Sequence, residues 1–192
     1  MKFSFAQKLE MSQTFSEEGR VIPVTKLKVC DDMKVTGVFT QNSPQGYNAI
    51  QVGSQTTEKD SLCILGEFRV HNEWPQVQVE DPVTVEQFEI GDELEVQGVS
   101  KGKGFAGAVK RHGFSGANAT HGTKHNERTT GSIGSGYPEH VYKGRKMPGR
   151  AGNKTVTLKN IAIIDMDAEN NVLYVKGAVP GPKKALLKLL VK

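Results

Sequence analysis

The chain has 192 residues, a net charge of +4, and no uninterrupted apolar run longer than four residues. That length suits one ordinary domain with an appendage, and the short apolar runs exclude a membrane-spanning helix, which needs about 20 such residues in succession. Cys30 and Cys63 stand alone in unrelated segments, so neither a disulfide framework nor a metal-binding pair is implied, and a reducing cytosol is the expected compartment.

The opening, "MKFSFAQKLEMSQ", turns polar at Gln7, too early for the apolar centre of a secretory signal. Strand-like segments follow at 20–29, 34–40 and 47–53, rich in β-branched and aromatic residues and separated by turn-formers such as "QNSPQG". Residues 54–82, with "TTEKDS", Pro75 and Pro82, show little periodicity, and 54–88 is expected as a short insertion at the edge of the fold. Farther on, "DELEVQG" alternates at Leu94 and Val96, and "KTVTLK" at Val156 and Leu158. "IAIIDMDAENNVLYVKGAV" reads as a hairpin around an Asp/Asn turn. The tail, "PKKALLKLLVK", suits helix by its Leu and Lys content, or a last strand by its place after "VPGP"; strand is the expectation. Short strands at this spacing predict a mainly β fold, barrel or sandwich.

The middle of the chain differs in kind. Residues 101–154 carry eleven Lys/Arg against Glu127 and Glu139, a net +9, while the remainder carries 14 Lys/Arg against 19 acids. The same stretch holds 12 of the 21 glycines and shows no sustained period. Fixing such a backbone costs about 1–2 kcal/mol per residue without a core to offset it, so its order is expected to come from a polyanionic partner. Strand-like sequence resumes directly afterwards. This predicts one β unit from 1–100 and 155–192, with a long irregular basic extension, 101–154, looped out of it.

Enzymatic readings fail on chemistry. Gly102, Gly104 and Gly107 in "GKGFAG" match a dinucleotide fingerprint, but Gly113, Gly116 and Gly122 interrupt the helix that must follow. "GRKMPGRA" has phosphate-loop glycine spacing with Arg150 and Ala151 where Lys and Ser/Thr belong. His121 and His125 stand four apart, yet Gly122 opposes a helix there and no further ligand is near in sequence. No catalytic constellation emerges, and no cofactor, metal or small-molecule substrate is expected. Cations for phosphates, glycines for close backbone approach, and Phe105, Phe114, Tyr137, Tyr142 and histidines for stacking together point to RNA.

Several segments carry a resemblance. "SKGKGFAGAVKRHGF" (100–114), "ATHG" (119–122), "GSIG" (131–134), "VYKGRKMPGRAGN" (141–153) and "LYVKGAVPGP" (173–182) resemble the bacterial form of large-subunit ribosomal protein L-three, as does "KLEMSQTFSEEGRVIPVT" near the start. The resemblance implies a translation-factor-type β-barrel with an extension running through large-subunit ribosomal RNA toward the peptidyl transferase centre. It also implies early subunit assembly, a cytoplasmic ribosomal location, proteins L-fourteen and L-nineteen as neighbours, and an architectural, non-catalytic role. The RNA contacts it points to are Lys101, Lys103, Lys110, Arg111, His112, His121, Lys124, Arg128, Lys143, Arg145, Lys146 and Arg150, with Gly102, Gly104, Gly107, Gly149 and Gly152 fixing the backbone path. Glu10 stands where relatives commonly have Gly, and the segment before "EFR" (67–69) is shortened. Arg150 replaces a glutamine that many relatives methylate, so that modification does not carry over. Lying between Gly149 and Gly152, Arg150 is expected to have no backbone frame of its own.

Overall fold

The computed structural model describes residues 1–55, 62–70 and 77–191. It divides into two units, 1–100 with 155–192, and 101–154. In the first unit the strands are β1 (Lys2–Phe15), β2 (Val21–Val29), β3 (Met33–Phe39), β4 (Ala49–Gln55), β5 (Leu62–Arg69) and β6 (Glu93–Val99). The second unit holds β7 (Phe105–Ala106), the helix α1 (Ala108–His112) and β8 (Gly149–Arg150). The chain then returns to the first unit with β9 (Thr155–Asp167), β10 (Val172–Lys176) and β11 (Leu186–Val191). Mainly β structure is therefore what the alternating segments produce.

Six strands pair antiparallel in the order β1-β11-β6-β9-β10-β2, and β2 pairs again with β1, so the sheet closes into a barrel. Closure removes the open strand edges that otherwise invite aggregation. The tail resolves to strand: β11 sits between β1 and β6, with Leu187 and Leu189 fully buried. The two segments 154–159 and 161–167 form one long strand, β9, with a break in register against β6 between Leu158 and Ile161. Asn160, at φ 57°, lies in that break, a left-handed conformation that Asn tolerates better than most side chains. The β9–β10 hairpin turns as expected, with Asp167 Oδ1 accepting from the Asn170 amide at 3.1 Å. Gly98 in β6 is sterically required, because a Cβ there would stand 2.3 Å from Leu187 Cδ2.

Two elements depart from the sequence reading. The first is β1, in which alternation spans only Lys2–Phe5 and then stops. Phe3 and Phe5 both meet Phe68 of β5, with ring centroids 5.0 Å apart in each pair, and the alternating Ser4 and Ala6 are fully buried as well. Both faces are covered only over Phe3–Ala6, and from Gln7 to Phe15 the strand is partly or fully exposed, so no sustained period marks its whole length. Beyond Lys8 its register with β2 shifts, and Glu10, in that irregularity, approaches Lys183 at 3.5 Å.

The second departure is the stretch 54–88. Residues 56–61 and 71–76 lie outside the described residues, but the rest is no mere edge insertion. β5 completes a three-stranded sheet in the order β3-β4-β5. Val85 and Phe88, around a single 3-10 turn at Val85–Gln87, are buried in the core. Gln87 holds β1 there, accepting from the Phe3 amide at 3.2 Å and donating to the Phe3 carbonyl at 2.9 Å. A turn that plugs a core needs no periodicity, which is why the pattern missed it.

Lys2 joins this arrangement from the surface, with Nζ 2.7 Å from Asp92 Oδ2 and 2.8 Å from Glu89 Oε1. The Lys2 hydrogen bond, helped by the Glu89 backbone amide, holds the Asp92 carboxyl below its ordinary range. A carboxylate depressed in the folded state adds stability above its unfolded pKa and loses it as pH falls through the folded one. Asp92→Asn is therefore expected to cost up to about 1 kcal/mol near pH 7, the ceiling for exposed pairs, and the gap from the parent should narrow as pH falls from about 5 toward 2. Urea denaturation across that range checks it; a constant gap contradicts the assignment.

Candidate nucleic-acid interface

The 101–154 unit builds a frame from backbone hydrogen bonds. Phe105 pairs with Arg150 and Ala106 with Gly149. The ladder extends outward, with the Lys103 amide donating to the Ala151 carbonyl at 2.9 Å and the Ala151 amide to the Gly104 carbonyl at 2.8 Å. At its end Gly152, φ 69°, lies so close to the opposite chain that a Cβ would stand 2.1 Å from the Lys101 carbonyl oxygen. No other residue fits there. Ala106, Ala108 and Ala151 are the buried side chains of this small frame. Arg150 is thus a strand residue, opposite Phe105, and the expectation that it lacks a backbone frame is corrected: Gly149 before it pairs with Ala106, and Ala151 after it is bonded to Lys103 and Gly104.

α1 begins after Gly107 and ends after five residues, where Gly113 takes the left-handed conformation at φ 74°. A helix does start at the place a dinucleotide fingerprint requires, but it is one turn long. Its last turn carries Arg111 and His112, which converge on one atom. Arg111 Nη1 donates to the Met147 carbonyl at 2.6 Å, and His112 Nε2 lies 2.9 Å from the same oxygen. A carbonyl only accepts, so His112 carries its proton on Nε2. Arg145 acts in the same way, donating through Nη2 to the Ser132 carbonyl at 2.6 Å. Three of the residues singled out in the sequence, Arg111, His112 and Arg145, therefore hold the backbone of their own unit. The Met147 and Ser132 carbonyls left no trace in the sequence, because a backbone acceptor belongs to every residue type.

Lys101, Lys103, Lys110, His121, Lys124, Arg128, Lys143, Lys146 and Arg150 are exposed. Among the described residues no carboxylate lies within ion-pair distance of them, nor of Arg111 or Arg145. His121 stands in a left-handed turn, φ 59°, and shares no helix with His125. Gly104 also has positive φ, 64°, whereas Gly107 faces open space and Gly102 makes only ordinary contact. Among the described residues no helix is long and apolar enough to cross a membrane.

A family model described as "Ribosomal protein L3" matches residues 64–172, a span that contains the whole basic unit. The large ribosomal subunit protein uL3 of Natranaerobius thermophilus is 40% identical over 205 aligned residues, covering 98% of this chain and 96% of its own length. The chain belongs to the ribosomal protein L3 family. Its counterpart in Desulfitobacterium hafniense is 40% identical over 95% of this chain and 92% of its own, and that in Staphylococcus epidermidis 39% over 95% and 93%. These L3 proteins match along both the barrel strands and the basic unit, so neither part is an addition peculiar to this chain.

The shared carbonyl makes Arg111 testable as a positioning residue. Arg111→Gln removes a charged donor of the kind worth about 1.5–3 kcal/mol, less here because the side chain is half exposed. The Lys103 and Ala151 amides should then exchange with deuterium about tenfold faster, while the denaturation midpoint of the barrel stays within about 0.5 kcal/mol of the parent. Unchanged exchange at both amides contradicts the role.

Proposed function

We propose that the 101–154 unit binds large-subunit, 23S-type ribosomal RNA, and that through it the protein acts in early subunit assembly and reaches toward the peptidyl transferase centre. As a member of the L3 family the protein is a structural constituent of the large ribosomal subunit, part of the cytoplasmic bacterial ribosome and not an enzyme. Its barrel is read as translation-factor-type, and proteins L-fourteen and L-nineteen as its protein neighbours. The single observation that carries the RNA reading is the set of exposed cations without carboxylate partners on a backbone fixed by its own hydrogen bonds. Phosphates supply the missing counter-charge, and a fixed backbone lowers the ordering cost of binding them.

Within this reading the exposed Lys and Arg residues meet phosphate, and His121 offers a ring to an unpaired base. Arg111, Arg145 and His112 set the path that carries the others, with further N–H groups of the guanidinium forks left for RNA. Gly104 and Gly152 fix the backbone by conformation; Gly102 and Gly107 leave room for close approach, and Gly149 makes room for the Arg111 guanidinium, whose Nη1 would stand 2.6 Å from a Cβ there. A nucleotide-dependent enzyme is not supported, since α1 ends after one turn.

Replacing Lys103, Lys143 and Lys146 by Gln should reduce the slope of log affinity against log salt for a ribosomal RNA fragment by about 2 to 3, since each lost phosphate contact removes about 0.7–0.9. An unchanged slope, measured by filter binding between about 50 and 200 mM salt, would show that these residues do not meet phosphate. Arg150→Ala should leave the barrel within about 0.5 kcal/mol of the parent and permit subunit assembly, because the other exposed cations remain. Single-turnover peptidyl transfer by the reassembled subunits should be altered. Normal transfer in fully assembled variant subunits contradicts the approach to the catalytic centre.

A further inference from the structure

Inside the 101–154 unit an open concavity of about 910 Å³ lies between the backbone of residues 113–117 and that of 126–131, with Arg145 in its lining. We propose that it receives a single unstacked RNA nucleotide, its base against Phe114 and its phosphate on Arg145. This deepens the RNA-binding reading and rests on it.

The walls are built without any ligand. The Ala117 amide donates to the Glu127 carbonyl at 2.9 Å, tying one wall to the other. Beside that bond Gly116, φ 73°, comes so close that a Cβ would stand 2.1 Å from the Glu127 carbonyl oxygen. The second wall closes on itself, Thr129 donating to the Asn126 carbonyl through its amide at 3.3 Å and its hydroxyl at 2.9 Å. Arg145 is oriented by its bond to the Ser132 carbonyl, and one held arm of a guanidinium leaves the other N–H groups to bind. A cavity held open in this way binds with less ordering cost than a floppy loop.

The lining chemistry selects the occupant. Phe114 is half-buried, has the His112 ring 5.9 Å away, and is the aromatic residue of the lining. Ser115, Thr130 and Asn126 contribute hydroxyls and an amide, the groups that read base edges, and no acid is in the lining. The size lies near the top of the roughly 300–1,000 Å³ that small-molecule sites occupy, enough for a whole nucleotide and too much for a phosphate alone. A duplex cannot enter, since its bases are stacked, and a protein partner would meet little apolar surface apart from Phe114. An unpaired nucleotide of folded RNA satisfies all of these features together.

The test uses the full chain and two RNA probes of about 12 nucleotides, within the range that single-strand binders cover. One is oligouridylate; the other has the same ribose-phosphate backbone with its central bases removed. The unaltered protein should bind the first at least about fivefold more tightly, the lower end of what one base–aromatic stack supplies. Ser115→Leu, an exposed position whose larger aliphatic side chain intrudes on the concavity without offering a ring, should abolish that preference while leaving affinity for the abasic strand unchanged. Phe114→Leu should do the same by removing the ring without filling the space. Equal binding of the two strands by the unaltered protein overturns the nucleotide site while leaving RNA binding intact. A preference that survives both variants also overturns it, by putting the base on another aromatic. Oligoglutamate binding as tightly as oligouridylate, and weakened equally by Ser115→Leu, would overturn the nucleotide site, since the concavity would then read charge alone. Failure to bind either RNA at about 50 mM salt would remove the RNA-binding reading itself.

Discussion

Phe3 and Phe5 of β1 both pack on Phe68 of β5, while Ser4 and Ala6 between and beside them are sealed on the opposite face. The first unit depends on this two-sided burial. β1 is the strand that both β2 and β11 pair with, so the barrel closes only where β1 sits. Each fully buried aromatic of this kind contributes on the order of 1.5–3 kcal/mol relative to exposure, whereas the surface pairs of Lys2 each supply at most about 1. Apolar packing therefore sets the position of β1, and Gln87 and Lys2 fix its register locally. From β1 the order of pairing runs to β11 and then to β6, whose end is where the chain leaves for the basic unit.

The basic unit solves a different problem. It buries few side chains, and its order comes from satisfying backbone groups: a two-residue ladder, its flanking hydrogen bonds, one helical turn, and guanidinium and imidazole donors aimed at carbonyls. Arginine suits this double duty because one fork can hold a carbonyl and still present N–H groups outward. Lysine, a single point charge on a flexible stem, is left exposed at Lys101, Lys103, Lys110, Lys124, Lys143 and Lys146. Not every arginine builds: Arg111 and Arg145 hold carbonyls, whereas Arg128 and Arg150 are exposed with the lysines.

Much of the first unit was legible in the sequence. β2, β3, β4, β6, β9 and β10 fall where β-branched residues and alternation announced them, and the β9–β10 turn where Asp and Asn cluster. β1 escaped notice because its alternation stops after Phe5 and its exposed remainder has no sustained period, and the core role of Val85 and Phe88 because a plug has no period. The family was legible from a few long, specific segments, and the matches over nearly the full chain agree with it. Of the candidate site, the charge and the glycines could be read directly. The concavity around Phe114 could not, since Ser115, Asn126 and Thr130 are unremarkable residues until Gly116 brings the two walls together.

The sequence by itself determined the polarity of this protein: a mildly acidic β-forming body and a basic, glycine-rich stretch. Those properties are local sums over residue types, and no fold is needed to evaluate them. Tertiary structure alone decided which strand is central, which arginines are tied to carbonyls, and where the backbone leaves an open space. Each depends on groups far apart in the chain, such as Phe3 with Phe68, Arg111 with Met147 and Gly116 with Glu127, meeting at distances that only the folded chain imposes.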